Sequence, residues 1–219
     1  MSLRRCINHW RGLAGVVALV AMAGCAGPGP VRDGQPPGPG ATIPAGADTP
    51  MPDIPAEILT RFEQATAVMA AGDAVDAELR FEEFVLLYPD YPGAWVNLAI
   101  IRAGNDDDEG AREALDAALA LNPNHAAALK QLGMLLRRNG NFLEAEAAYM
   151  KAVTVSPDYA LAHYNLGVLN ELYLQRLEAA LQHFETYQSL VGEDKQVERW
   201  INDLQRRITA AQRTASAAE

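Results

Sequence analysis

Few residues in this chain have the chemistry to catalyse a reaction. Downstream of the N-terminal segment the histidines are His125, His163 and His183. There is no His-x3-His pair and no Cys–His cluster, so a zinc site is not expected. Nor is there a Gly-rich phosphate loop or a Gly-x-Ser-x-Gly nucleophile turn. The acidic run NDDDEG, residues 105–110, invites a calcium reading. It lacks the alternating acids and the later bidentate acid that a calcium loop needs. Acids at that place suit the N-terminus of a following helix, where they cap amides and meet the positive end of its dipole. The expectation is a protein that is not an enzyme, with no metal, no cofactor and no small-molecule substrate.

The one residue with a clear chemical assignment is Cys25. Met1 to Arg11 carries three arginines and no acid, Gly12 to Val20 is apolar, and small residues follow up to Cys25. A basic start, a short apolar core and a small-residue end read as an export signal over residues 1–24. The apolar run is well short of the ~20 residues that span a bilayer. Ala23-Gly24-Cys25 resembles the processing box of bacterial lipoproteins, although Met22 stands where leucine is commoner. That resemblance implies cleavage before Cys25 and acylation of its thiol, with palmitate-type chains as the anchor. It fits the cysteine usage. Cys6 leaves with the signal, so Cys25 has no disulfide partner, and a lone exposed thiol is a liability in an oxidising compartment. One acyl chain anchors only marginally, so two or more are implied. Ala26, rather than an acid, follows the cysteine; in enteric bacteria that resembles the sorting pattern for the outer membrane, facing the periplasm.

Loss of Arg4, Arg5 and Arg11 with the signal leaves 15 Lys and Arg against 28 Asp and Glu, a net charge of −13. Such a surface disfavours nucleic acid and electrostatic docking on anionic lipid. From Cys25 to Pro55, proline and glycine dominate and large apolar residues are scarce. This stretch cannot bury enough surface to offset its ordering entropy, and reads as a tether with a reach on the order of 80 Å.

From Ala56 onward the composition turns to alanine, leucine and glutamate. Apolar residues recur at helical spacing, as in Leu115, Ala118, Leu119 and in Leu129, Leu132, Leu135, Leu136. Pro89, Pro123 and Pro157 are 34 residues apart, and a common pattern surrounds each. The second unit has Trp95, Leu98, Ala99, Ala111, Leu115, Ala118 and Pro123. The third has Leu129, Leu132, Gly133, Gly140, Ala145, Tyr149, Ala152 and Pro157.

A 34-residue helix–turn–helix period with these residues resembles the tetratricopeptide repeat family. The fold class it implies is all-α: a solenoid of helical hairpins, about four repeats over residues 56–192 (58–91, 92–125, 126–159 and 160–192), with a capping helix at 193–212 and a fraying tail at 213–219. Small residues (Ala99, Gly133, Gly167 and Ala77, Ala111, Ala145) let paired helices approach, and Phe81, Leu115 and Tyr149 fill the space between repeats. The first repeat is degenerate, with Arg61 and Gln64 where large apolar residues are usual. The fourth has an internal turn one residue longer and Gly192 in place of the closing proline. His163, in the register of Trp95 and Leu129, reads as a packing residue.

In this family the first helices line a concave groove that holds peptides. Carried onto this chain, the groove positions are an amide ladder of Asn97, Gln131 and Asn165, then Val96, Lys130 and Tyr164, then Ile100, Met134 and Val168, with Arg137 and Arg138 one turn further. Amide side chains both donate and accept, so they can pair with any peptide backbone. The resemblance implies a lipid-anchored scaffold that binds a protein or peptide of the cell envelope. Alternatives are a pilotin-like factor for the secretin of type IV pili, an adaptor for cell-wall enzymes, and a self-associating spacer.

Overall fold

The computed structural model describes residues 54–217. The expected signal segment, Cys25 and the proline-rich stretch as far as Asp53 lie outside the described residues, as do Ala218 and Glu219. Among the described residues there are nine helices and no strand: α1 Ala56–Ala70, α2 Ala74–Leu87, α3 Pro92–Gly104, α4 Asp108–Leu121, α5 Ala126–Arg138, α6 Phe142–Val155, α7 Ala160–Leu172, α8 Leu177–Val191 and α9 Lys195–Ser216. None of them is long and apolar enough to cross a membrane.

The first eight helices form four antiparallel hairpins, and local chemistry sets each turn. Three turns have three residues; the fourth, Tyr173 to Arg176, has one more, as its sequence implied. Each turn passes through the left-handed region once, at Gly72, Asp106, Gly140 and Gln175. Glycine takes that conformation without cost, which accounts for two of the four. The side chains of Asp73 and Asp107 then accept hydrogen bonds from the amides of Asp76 and Gly110, at 3.1 and 2.9 Å, and start α2 and α4. The acidic run at 105–110 is thus a helix start, with Asp107 as its cap.

Packing inside each hairpin depends on a small residue under a large one. A Cβ built on Gly133 would lie 2.5 Å from the ring of Tyr149, and one on Gly167 would lie 2.6 Å from the ring of Phe184. The ring therefore covers a glycine of its own hairpin, and Tyr149 also packs with Leu166 and Leu169 of the next hairpin, so it fills the space between repeats as expected. In the second hairpin Ala99 faces the same register with the smaller Leu115, and both are buried. In the first, Phe62 stands edge-on to Phe81 and Phe84. Arg61 there turns outward to Glu57 and Glu83.

Successive hairpins stack through the second helix of one and the first helix of the next. First helices also touch one another, α1 with α3, α3 with α5 and α5 with α7; no second helix touches another second helix among the described residues. The stack is therefore tighter along its first helices, which makes that side the inner one. Arg102 ties the first two hairpins, with its guanidinium 3.3 Å from Glu78 and 2.8 Å from Glu82.

Helix α9 takes the place of a next first helix against α8. Val197, Trp200, Ile201 and Leu204 join one core cluster with Tyr164, Val168, Phe184 and Tyr187. Arg207 pairs with the buried Glu171 of α7 at 3.0 Å. The helix runs on to Ser216, past residue 212 where the sequence reading ends it. No glycine or proline follows residue 192 to stop it.

Candidate functional site

The inner faces of α3 and α5 enclose an open hollow of about 350 Å³. Ala99, Ile100, Ala103 and Gly104 line it from α3, and Lys130, Gln131, Met134, Leu135, Arg137 and Arg138 from α5. The register explains the space. Ala103 and Gly104 stand 34 residues before Arg137 and Arg138. Small side chains on one wall face long ones on the other, so the second wall overhangs a gap. Ala103 and Gly104 were not among the residues expected at the groove. Comparing the two repeats position by position would have signalled them.

Six of the expected groove residues thus meet around one hollow: Ile100, Lys130, Gln131, Met134, Arg137 and Arg138. Val96 lies in the core beside it. Asn97 and Gln131 are half-buried, and neither side chain hydrogen-bonds within the described residues. The fourth repeat is different. Tyr164 and Val168 are packed in the cluster that α9 completes. Asn165 is 7% exposed, and its Nδ2 donates 2.7 Å to the Leu161 carbonyl, one turn back on its own helix. The three amides share a register, but Asn165 is turned to its own backbone while Asn97 and Gln131 are not.

The cations differ just as much. Arg138 donates to the Ala103 carbonyl and pairs with Asp108, and Asp106 lies 3.8 Å away. It closes the end of the hollow and clips α5 to the turn of the preceding hairpin. Arg137 lies 5.9 Å over the ring of Tyr173, within cation–π range. Lys130 is 8% exposed, yet it makes no ion pair or hydrogen bond within the described residues. Burial alone pushes its ammonium down to about 8. An anionic group entering the hollow would relieve that cost, because an opposite charge nearby favours the charged form.

Two histidines have duties that their register alone did not disclose. His125 is the N-cap of α5, and its Nδ1 accepts from the Ala128 amide at 3.2 Å. Desolvation holds its pKa below the ordinary histidine value. His163 is more than a packing residue. Its Nε2 lies 3.1 Å from the Pro157 carbonyl, just as Trp95 Nε1 lies 2.8 Å from that of Pro89. In these two repeats a ring nitrogen reaches the carbonyl of the preceding proline, whereas Leu129, in the same register of the third repeat, packs as a buried apolar side chain.

The tetratricopeptide repeat family matches residues 68–135 and again residues 130–195. No curated protein matches the chain. Several solved structures share the fold. The pilF protein of Pseudomonas aeruginosa superposes with a TM-score of 0.64 at 20% identity, covering 70% of this chain and 69% of that one. MamA of Desulfovibrio magneticus RS-1 gives 0.59 at 19% identity, covering 74% and 90%. A thermophilic tetratricopeptide repeat protein of Thermus thermophilus gives 0.60 at 20% identity, covering 69% and 82%.

Proposed function

Because the chain belongs to the tetratricopeptide repeat family, we propose that it is a scaffold that seats a peptide segment of a protein partner between α3 and α5. The observation that carries this reading is the hollow itself. It has an apolar floor of Ala99, Ile100 and Met134, an uncommitted amide at Gln131, and a buried cation at Lys130 with no partner of its own. Apolar surface supplies affinity, the amide pairs with the peptide backbone, and Lys130 favours an acidic side chain or a terminal carboxylate. Asn97 extends the polar edge. Tyr164, Asn165 and Val168, buried in the fourth repeat, mark the closed end of the groove.

The setting we propose is the bacterial cell envelope. An acylated Cys25 would hold the chain at the outer membrane, and the proline-rich tether would let the repeats reach partners in the periplasm. The N-terminal pattern described above supports this reading. A pilotin-like role in secretin assembly is the specific alternative within it. The likeness to Pseudomonas aeruginosa pilF agrees with that alternative in fold.

Cross-linking in the native cell tests the proposal. The wild-type chain is compared with a Gln131→Ala, Met134→Ala variant and with a Leu79→Ala variant on the exposed outer side. We expect one envelope protein to be captured by the wild type and the outer-side variant and lost from the groove variant. Equal capture by all three would move binding away from α3 and α5. A captured secretin would select the pilotin-like role.

A further inference from the structure

His163 on α7 and His183 on α8 face each other across the fourth hairpin, with their Nδ1 atoms 3.2 Å apart. Their ring centroids are 5.4 Å apart, so the rings meet nitrogen to nitrogen rather than face to face. The protonation of one ring follows from the fold. His163 Nε2 meets the Pro157 carbonyl, which can only accept, so Nε2 carries the proton and Nδ1 offers a lone pair. The donor-only indole of Trp95 makes the matching contact with the Pro89 carbonyl in the second repeat. Two imidazoles that share one metal at about 2.0–2.1 Å hold their nitrogens about 2.9–3.4 Å apart. Neither ring is paired with a carboxylate, and the ring of His183 makes no other hydrogen bond within the described residues. No other hydrogen bond among the described residues fixes the tilt of the His183 ring. Both rings are only partly buried, so water can reach them.

We propose that His163 and His183 form a two-imidazole site for a late first-row divalent cation, of the Ni²⁺, Cu²⁺ or Zn²⁺ class. Without metal, His183 Nδ1–H donates to His163 Nδ1. With metal, His183 carries its proton on Nε2 instead, both Nδ1 lone pairs bind the ion, and water fills the remaining positions. No net proton is released from a neutral pair. The contact between His163 and the Pro157 carbonyl serves as the outer-shell bond that fixes a ligating imidazole. Imidazole ligands suit these ions, and the affinity order favours them over Mn²⁺ or Fe²⁺. The ion would clamp α7 to α8 on a hairpin whose groove side α9 already closes, apart from the hollow between α3 and α5.

Calorimetric titration of the full chain with Ni²⁺ at pH 7.5 tests this, beside His183→Gln and His163→Trp. The tryptophan variant restores the side chain that Trp95 uses in the same register, so it keeps the bond to the Pro157 carbonyl while removing a ligand. We expect one Ni²⁺ per wild-type chain, bound at least ~10-fold more weakly by either variant. Ni²⁺ should also raise the melting temperature of the wild type more than that of either variant. Equal binding by wild type and both variants would place the ion elsewhere and overturn the assignment. So would the absence of any wild-type binding.

Discussion

A methyl group on the Cα of Gly133 would lie 2.5 Å from the ring of Tyr149, and Tyr149 is fully buried. The glycine and the ring act as one unit that sets how closely α5 and α6 approach. Gly133→Ala is expected to lower stability by about 1–3 kcal/mol in urea unfolding, since a rigid buried ring cannot move aside cheaply. Adding Tyr149→Leu should recover part of the loss, because Ala99 with Leu115 is the pairing that the second hairpin already uses. A double-mutant cycle with no coupling would refute the pairing.

Lys130 lowers stability in the free protein. Its folded pKa is about 8 against an ordinary 10.5, so the unfolded chain holds the extra proton between those values. The cost is fully present below pH 8 and fades as pH rises toward 10.5. Lys130→Met should therefore raise stability at pH 7 by about 2–3 kcal/mol. The difference from wild type should shrink by pH 10. A constant difference across that range would mean that charge burial is not the cause.

His125 makes the start of α5 sensitive to acid. Its Nδ1 accepts from the Ala128 amide only while that nitrogen is unprotonated. With the folded pKa held below 6.5, this contribution is present above pH 6.5 and is lost as pH falls through the folded value. His125→Ala should cost about 1 kcal/mol at pH 7. His125→Asn should keep most of the stability at pH 7 and lose less of it on acidification. Thermal melts of the three proteins from pH 7.5 to 5 would show whether the slopes separate.

Helix α9 is part of the fold rather than an appendage. Trp200 lies 5.5 Å from Phe184 and 5.9 Å from Tyr164, ring centre to ring centre. Trp200→Ala should destabilise by about 3–5 kcal/mol and expose the fourth hairpin to proteolysis. An unchanged cleavage pattern after limited trypsin digestion would show that the hairpin holds without it.

Much of this molecule was legible in its sequence because repeats report themselves. Prolines 34 residues apart, small residues in register and an amphipathic run after Gly192 specify hairpins that cannot bury their faces alone and must stack. The longer fourth turn and the capping duty of the acidic run were legible as well, since turn length and N-cap chemistry are local. The candidate site was legible only in part. Asn97, Gln131 and Asn165 share one register, and Lys130, Arg137 and Arg138 one helix. Nothing local distinguishes an amide that awaits a partner from one bonded to its own helix, or a buried lone ammonium from a guanidinium clipped to Asp108. Those distinctions depend on which side chains arrive from other hairpins and from α9, that is, on contacts between residues far apart in the chain. Register determined where each residue stands, and tertiary packing decided what it meets there.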